Sequence, residues 1–178
     1  MPDVLTVPGL WNSGPLHWQT DWEKENPSFS RVMQRDFDHP DLDEWVETLQ
    51  RAVVASEKRP VLAAHSLGCA LVAHWAMRYG TGVCGAFLVA PSDVEAATYP
   101  IDPGAFKPMP RARLPFPSIV VASTNDEYIS LDRATEFANA WGSRLVNIGD
   151  AGHINGASGY GPWPQGLAML EQFVMSLA

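Results

Sequence analysis

Three residues in this chain could together carry out acyl chemistry: Ser66, Asp126 and His153. Ser66 lies in the pentapeptide Ala64-His65-Ser66-Leu67-Gly68, between a short apolar run and an alanine-rich helical pattern. A serine hydroxyl is a weak nucleophile until a base takes its proton. The imidazole that does so needs an acid to hold its tautomer and stabilise the imidazolium. Asp126 falls just past the apolar run of "VASTNDEYIS", and His153 follows the run that leads into "VNIGDAGHIN". The order Ser, Asp, His along the chain is that of the nucleophile-elbow arrangement. Each residue also has a plainer reading. Ser66 could simply cap the following helix. Asp126 could shape an Asx-turn or cap the helix near Leu131. Asp93, in "APSD", is a competing acid ranked below Asp126.

An elbow explains the small neighbours. A serine on a strained strand-to-helix turn leaves little room two residues before and after it, where Ala64 and Gly68 stand. The helix that follows offers the Leu67 N–H and its positive dipole end to a developing oxyanion. A second donor is expected in the loop after the first strand, "VPGLWNSG". Leu10 is the choice there and Trp11 the alternative, since Gly9 lets the backbone turn sharply. His65 holds the variable elbow position and is expected to face away from the hydroxyl. It joins Trp11 and Trp163 as a candidate for lining the substrate pocket. His17 is read as structural in preference to pocket-lining, and His39 and His74 as structural. No HxH, HExxH or CxxC spacing suggests a metal site. Neither GxGxxG nor GxxxxGK[ST] occurs, so no metal and no cofactor is expected.

These residues need a scaffold that brings distant loops together. Strands are expected at Val4–Val7, Arg31–Gln34, Pro60–Ala64, Val83–Ala90, Ser118–Ser123 and Arg144–Ile148. Helices are expected at Pro15–Asn26, within "HPDLDEWVETLQRAVVA" (39–55), and at Leu67–Tyr79, Leu131–Trp141 and Trp163–Leu177. Strands alternating with helices imply a three-layer α/β/α sandwich on a mostly parallel sheet. In such a sheet ligands bind at the carboxyl ends of the strands, where Ser66, Asp126 and His153 all fall. Residues 91–117 contain seven prolines and cannot form a long helix. They are read as a short lid or crossover loop that walls the pocket.

The composition sets outer limits. The 178 residues suit one domain spanning 1–178. With 46% hydrophobic and 18% charged residues the chain is globular. A net charge of −8 without a basic cluster argues against nucleic acid or an anionic membrane as partner. Two cysteines within apolar runs read as reduced thiols, and no signal peptide or spanning segment is apparent. A cytoplasmic location is expected.

"AHSLG", "STNDEYIS", "AGHINGASGYGPWPQG" and the opening "PGLWNSGPLHWQTDWE" resemble the retinoblastoma-binding-protein-9/YdeN-like group of small α/β-hydrolases over nearly the whole chain. The resemblance implies a compact α/β-hydrolase fold with a six-stranded core and a triad on Ser66, Asp126 and His153. Ala64 departs from the glycine more usual at that elbow position. The reading is a serine hydrolase that cleaves a small ester-like substrate through an acyl-enzyme. The alternative is a non-catalytic protein-interaction module on the same fold, with a protein partner. A flavodoxin-like binding protein shares the layers but implies bound flavin.

Overall fold

The computed structural model describes residues 2–177, so Met1 and Ala178, the two ends of the expected span, lie outside the described residues. Six parallel strands form one sheet in the order β2-β1-β3-β4-β5-β6. They are β1 (Val4–Val7), β2 (Phe29–Arg31), β3 (Val61–His65), β4 (Gly85–Val89), β5 (Ser118–Ala122) and β6 (Arg144–Asn147). The helices are α1 (Trp18–Glu25), α2 (Leu42–Ala55), α3 (Leu67–Arg78), α4 (Leu131–Trp141) and α5 (Pro164–Met175). This is the α/β-hydrolase architecture.

Strand periodicity of two sorts the side chains into two cores. Leu5, Leu62, Ala64, Leu88 and Val120 face one side, where they pack with Trp45, Leu49, Leu71 and Trp141 from α2, α3 and α4. Val4, Val61, Ala63, Phe87 and Val121 face the other, where they meet Trp18 and Trp22 of α1 and Leu170 and Phe173 of α5. Strands buried on both faces read as continuous apolar runs, which is why β3, β4 and β5 stand out in the sequence. β1 has β2 on one side and β3 on the other. The chain reverses its winding there, and a crevice opens between the loops that leave β1 and β3.

Two elements differ from expectation. The first helix begins at Trp18 and not at Pro15, because the His17 side chain accepts the Gln19 N–H and so caps it. β2 lies at Phe29–Arg31, earlier than expected. Val4 pairs with Phe29, which buries its ring beside Trp22.

The proline-rich segment is pinned along its length. Val94, Phe106, Met109, Leu114 and Phe116 are buried in the core shared by α2, α3 and α4. His74 donates to the Phe106 carbonyl at 2.9 Å and Trp141 to the Pro110 carbonyl at 2.7 Å. Arg133 and Arg111 bind Glu95, and both also reach Glu136. Among the described residues, no helix is long and apolar enough to cross a membrane.

Candidate active site

The elbow is built by strain and by close approach. Ser66 has φ 57° and ψ −124°, outside helical and strand geometry. A non-glycine residue held there costs on the order of 1–3 kcal/mol and persists only where its surroundings enforce it. The Ser66 N–H is held by the Val89 carbonyl at 3.1 Å. A Cβ on Gly68 would lie 2.2 Å from the Val7 carbonyl oxygen, so this position has no room for a side chain. Ser66 makes no side-chain bond to the helix it precedes, so it does not cap α3.

Its hydroxyl instead faces His153, with Oγ 2.9 Å from Nε2. His153 Nδ1 lies 2.9 Å from each carboxylate oxygen of Asp126. A ring nitrogen facing a carboxylate carries the proton, so in the neutral ring Nε2 presents its lone pair to the Ser66 hydroxyl. The Asp126 side chain is fully buried and that of His153 is 6% exposed. Asp126 also accepts the Tyr128 N–H at 2.9 Å, so it forms the Asx-turn as well as the hydrogen bond to His153. Asp93, the competing acid, is held by Arg133 at 2.8 Å, and among the described residues it makes no hydrogen bond to His153.

The His153 loop is fixed by side chains from its surroundings. Ser123 Oγ accepts the Ala151 N–H, Asn125 Oδ1 the Gly152 N–H and Ser158 Oγ the His153 N–H. Ile154 is β-branched and sits at φ 48°, a left-handed conformation that the loop must hold in place.

The loop that leaves β1 packs against the elbow. Gly9 packs on the elbow so closely that a Cβ would lie 2.8 Å from the Leu67 nitrogen. Among the described residues neither the Leu10 nor the Leu67 N–H has a protein acceptor. The Trp11 N–H donates to the Phe37 carbonyl at 2.9 Å, which removes it as the alternative donor.

A cavity of about 150 Å³ opens over Ser66. Trp11 and His65 line it, together with Leu10, His17, Tyr99, Tyr128 and Asn155. Trp163 does not. It is 4% exposed and packs against Trp18, Trp22 and Tyr160 on the α1/α5 side of the sheet, which corrects the expectation that it lines the pocket. The proline-rich segment contributes Ser92, Tyr99 and Pro100 to the wall. Sequence reading missed Tyr128, whose ring lies 4.5 Å from that of His153. Its place two residues after Asp126, within an Asx-turn, was the available signal. Burial lowers the pKa of His17 to about 3, helped by Arg31 and His153, and holds His65 well below its usual value. Both rings are therefore neutral, and among the described residues no Asp, Glu, Lys or Arg lines the cavity.

Comparison with known proteins agrees with this architecture. The family model described as serine hydrolase matches residues 4–172. A solved structure described as a YdeN-like hydrolase from Pectobacterium atrosepticum is 36% identical, with a TM-score of 0.89, over 98% of this chain and 91% of that one. The ydeN gene product of B. subtilis shares 18% identity and a TM-score of 0.73, over 98% of this chain and 100% of that one. The mouse α/β hydrolase domain-containing protein 10 shares 14% identity and a TM-score of 0.74, over 100% and 91%. No curated protein sequence matches the chain significantly.

Proposed function

The chain belongs to the serine hydrolase family, and from that premise we propose that it cleaves small, uncharged esters through an acyl-enzyme on Ser66. The observation that carries the reading is the continuous contact Ser66–His153–Asp126, opening into a cavity, with the Leu10 and Leu67 N–H groups lacking a protein acceptor among the described residues. Ser66 Oγ attacks the ester carbonyl carbon as its proton passes to His153 Nε2. The carbonyl π pair moves onto oxygen, and the Leu10 and Leu67 N–H groups bind that oxyanion. Asp126 stays ionised and holds the imidazolium. The oxyanion collapses, the C–O bond to the alcohol breaks, and His153 returns the proton to the departing oxygen. Water then repeats the sequence on the acyl-enzyme, releasing the acid and restoring Ser66.

The cavity supports a small acyl group. Roughly 150 Å³ holds a group on the order of a benzene ring. A wall of Leu10, Trp11, Tyr99 and Tyr128 without formal charge favours a neutral, partly apolar acyl chain over a carboxylate or a phosphate.

Fluorophosphonate labelling with peptide mass spectrometry tests the reading. We expect an adduct on Ser66 that is lost in His153→Ala, and a folded Ser66→Ala protein without ester turnover. A folded wild-type protein that stays unlabelled would overturn the catalytic reading and favour the interaction module.

A further inference from the structure

We propose that His65 and His17 are positioning residues that hold the His153 backbone, and so its imidazole, in register with Ser66. The proposal rests on the catalytic reading of Ser66 and His153 given above.

The alternation of β3 decides where His65 points. Val61 and Ala63 face the α1/α5 core, and His65 continues that face toward α1 and the His153 loop. Its Nε2 lies 2.9 Å from the His153 carbonyl oxygen and its Nδ1 3.3 Å from His17 Nε2. The far end of this chain is His17 Nδ1, which accepts the Gln19 N–H at 3.1 Å.

These contacts determine the protons. A nitrogen facing a carbonyl must donate, so His65 carries its proton on Nε2. Its Nδ1 must then accept, in a neutral ring. His17 accepts at Nδ1 and therefore donates from Nε2. The sequence Gln19 N–H to His17, His17 N–H to His65, and His65 N–H to the His153 carbonyl has one consistent direction and leaves no unpaired nitrogen.

The same turn of α1 grips the loop a second time. Trp18 Nε1 donates to the Ile154 carbonyl at 3.0 Å, on the residue held at positive φ. Gln19 Nε2 donates to the Ala63 carbonyl at 2.9 Å, which ties the start of α1 to β3 just before the elbow. Residues 17–19 thus bracket the strand that carries Ser66 and the loop that carries His153. His65 is 5% exposed and both its nitrogens are engaged, so it has no free donor or acceptor for substrate. Its effect on the reaction runs through His153. A displacement of about 1 Å between reacting groups costs on the order of 10²-fold in rate.

Steady-state kinetics and proton NMR on the full chain test the proposal. For His65→Leu we expect kcat to fall about 10²-fold, with KM changed less than about threefold. His65→Gln, whose amide can still donate to the His153 carbonyl, should recover part of the loss. His17→Leu should give a smaller decrease in kcat. We expect a low-field Nδ1 proton resonance of His153 in the wild type, which should broaden or shift in His65→Leu and return in His65→Gln. A folded His65→Leu protein with unchanged kcat and an unchanged His153 signal would overturn the proposal. So would a rise in KM alone, which would make His65 a substrate contact. If His65→Leu does not fold, His17→Leu carries the same two criteria. Wild-type protein that fluorophosphonate fails to label would defeat the catalytic reading, while labelled wild type and an equally fast His65→Leu would defeat only this proposal.

Discussion

At the scale of single residues, the site depends on which of two aspartates faces the imidazole. Asp126 touches His153 Nδ1 with both oxygens, whereas Asp93 is taken up by Arg133. Asp126→Asn should lower kcat by about 10⁴-fold, since an amide no longer enforces the required tautomer. Asp93→Asn should leave kcat within about threefold. The Arg133 side chain is 28% exposed. The Asp93 side chain is only 9% exposed, so the variant should lose stability, read as a lower Tm, although Arg133 keeps its pairs with Glu95 and Glu136. Paired kinetic and calorimetric measurements of the two variants check both expectations. The sequence could rank these acids only by their place after a strand. What separates them is the reach of Arg133 from α4, which strand order does not reveal.

At the scale of elements, the start of α1 carries a cost that depends on pH. His17 is buried neutral, with its pKa lowered from 6.5 to about 3 by burial, then Arg31 and His153. Above pH 6.5 neither folded nor unfolded chain protonates it, and it contributes no pH dependence. Below that value the unfolded chain binds a proton that the folded chain refuses, so stability falls as pH falls. The slope is about 1.4 kcal/mol per pH unit toward pH 3. His65 and His74, both lowered chiefly by burial, act with the same sign. Paired carboxylates behave differently. Glu95, lowered from 4.5 to about 2 chiefly by Arg111, contributes stability that is lost only as pH falls below 4.5. Between pH 6.5 and 5 the histidines therefore dominate. We expect Tm to drop across that interval, with a shallower slope in His17→Asn, which keeps a capping side chain without a titrating ring. A scanning-calorimetry series across the interval measures it, and equal slopes in both proteins would contradict it. The displaced start of α1 has the same origin. Pro15 suits a first helical turn, but His17, whose imidazole reaches Gln19 N–H, sets the cap.

At the scale of the whole molecule, the core shared by α2, α3 and α4 holds Cys69 beyond the reach of solvent. It is fully buried in α3 beside the Val89 carbonyl, and burial pushes its thiol well above the usual pKa. Cys84 is only half-buried. A maleimide should therefore modify Cys84 first. Cys69 should react only through global unfolding, so its labelling should follow the unfolding equilibrium at low maleimide and reach the unfolding rate at saturating maleimide. Mass spectrometry of timed quenches checks this, and fast native labelling of Cys69 would show that α3 opens locally. The proline-rich segment also belongs to this scale. Seven prolines announce irregular chain, but the burial of Phe106, Met109 and Leu114 beneath it depends on α2, α3 and α4 being assembled.

The sequence by itself determined the alternating strands and helices, the parallel sheet they imply and the elbow around Ser66. All of these follow from local periodicity, turn residues and the steric demand for small neighbours. It also put Asp126 and His153 in loops after successive strands, since strand ends can be read from where apolar runs stop. Tertiary structure alone decided which groups meet. It turned His65 toward His17 and the His153 carbonyl, sent Trp163 into the far core, paired Asp93 with Arg133 and spent the Trp11 N–H on Phe37. Such contacts join residues tens of positions apart, and no periodicity within one segment encodes the packing of the segment that comes to lie beside it.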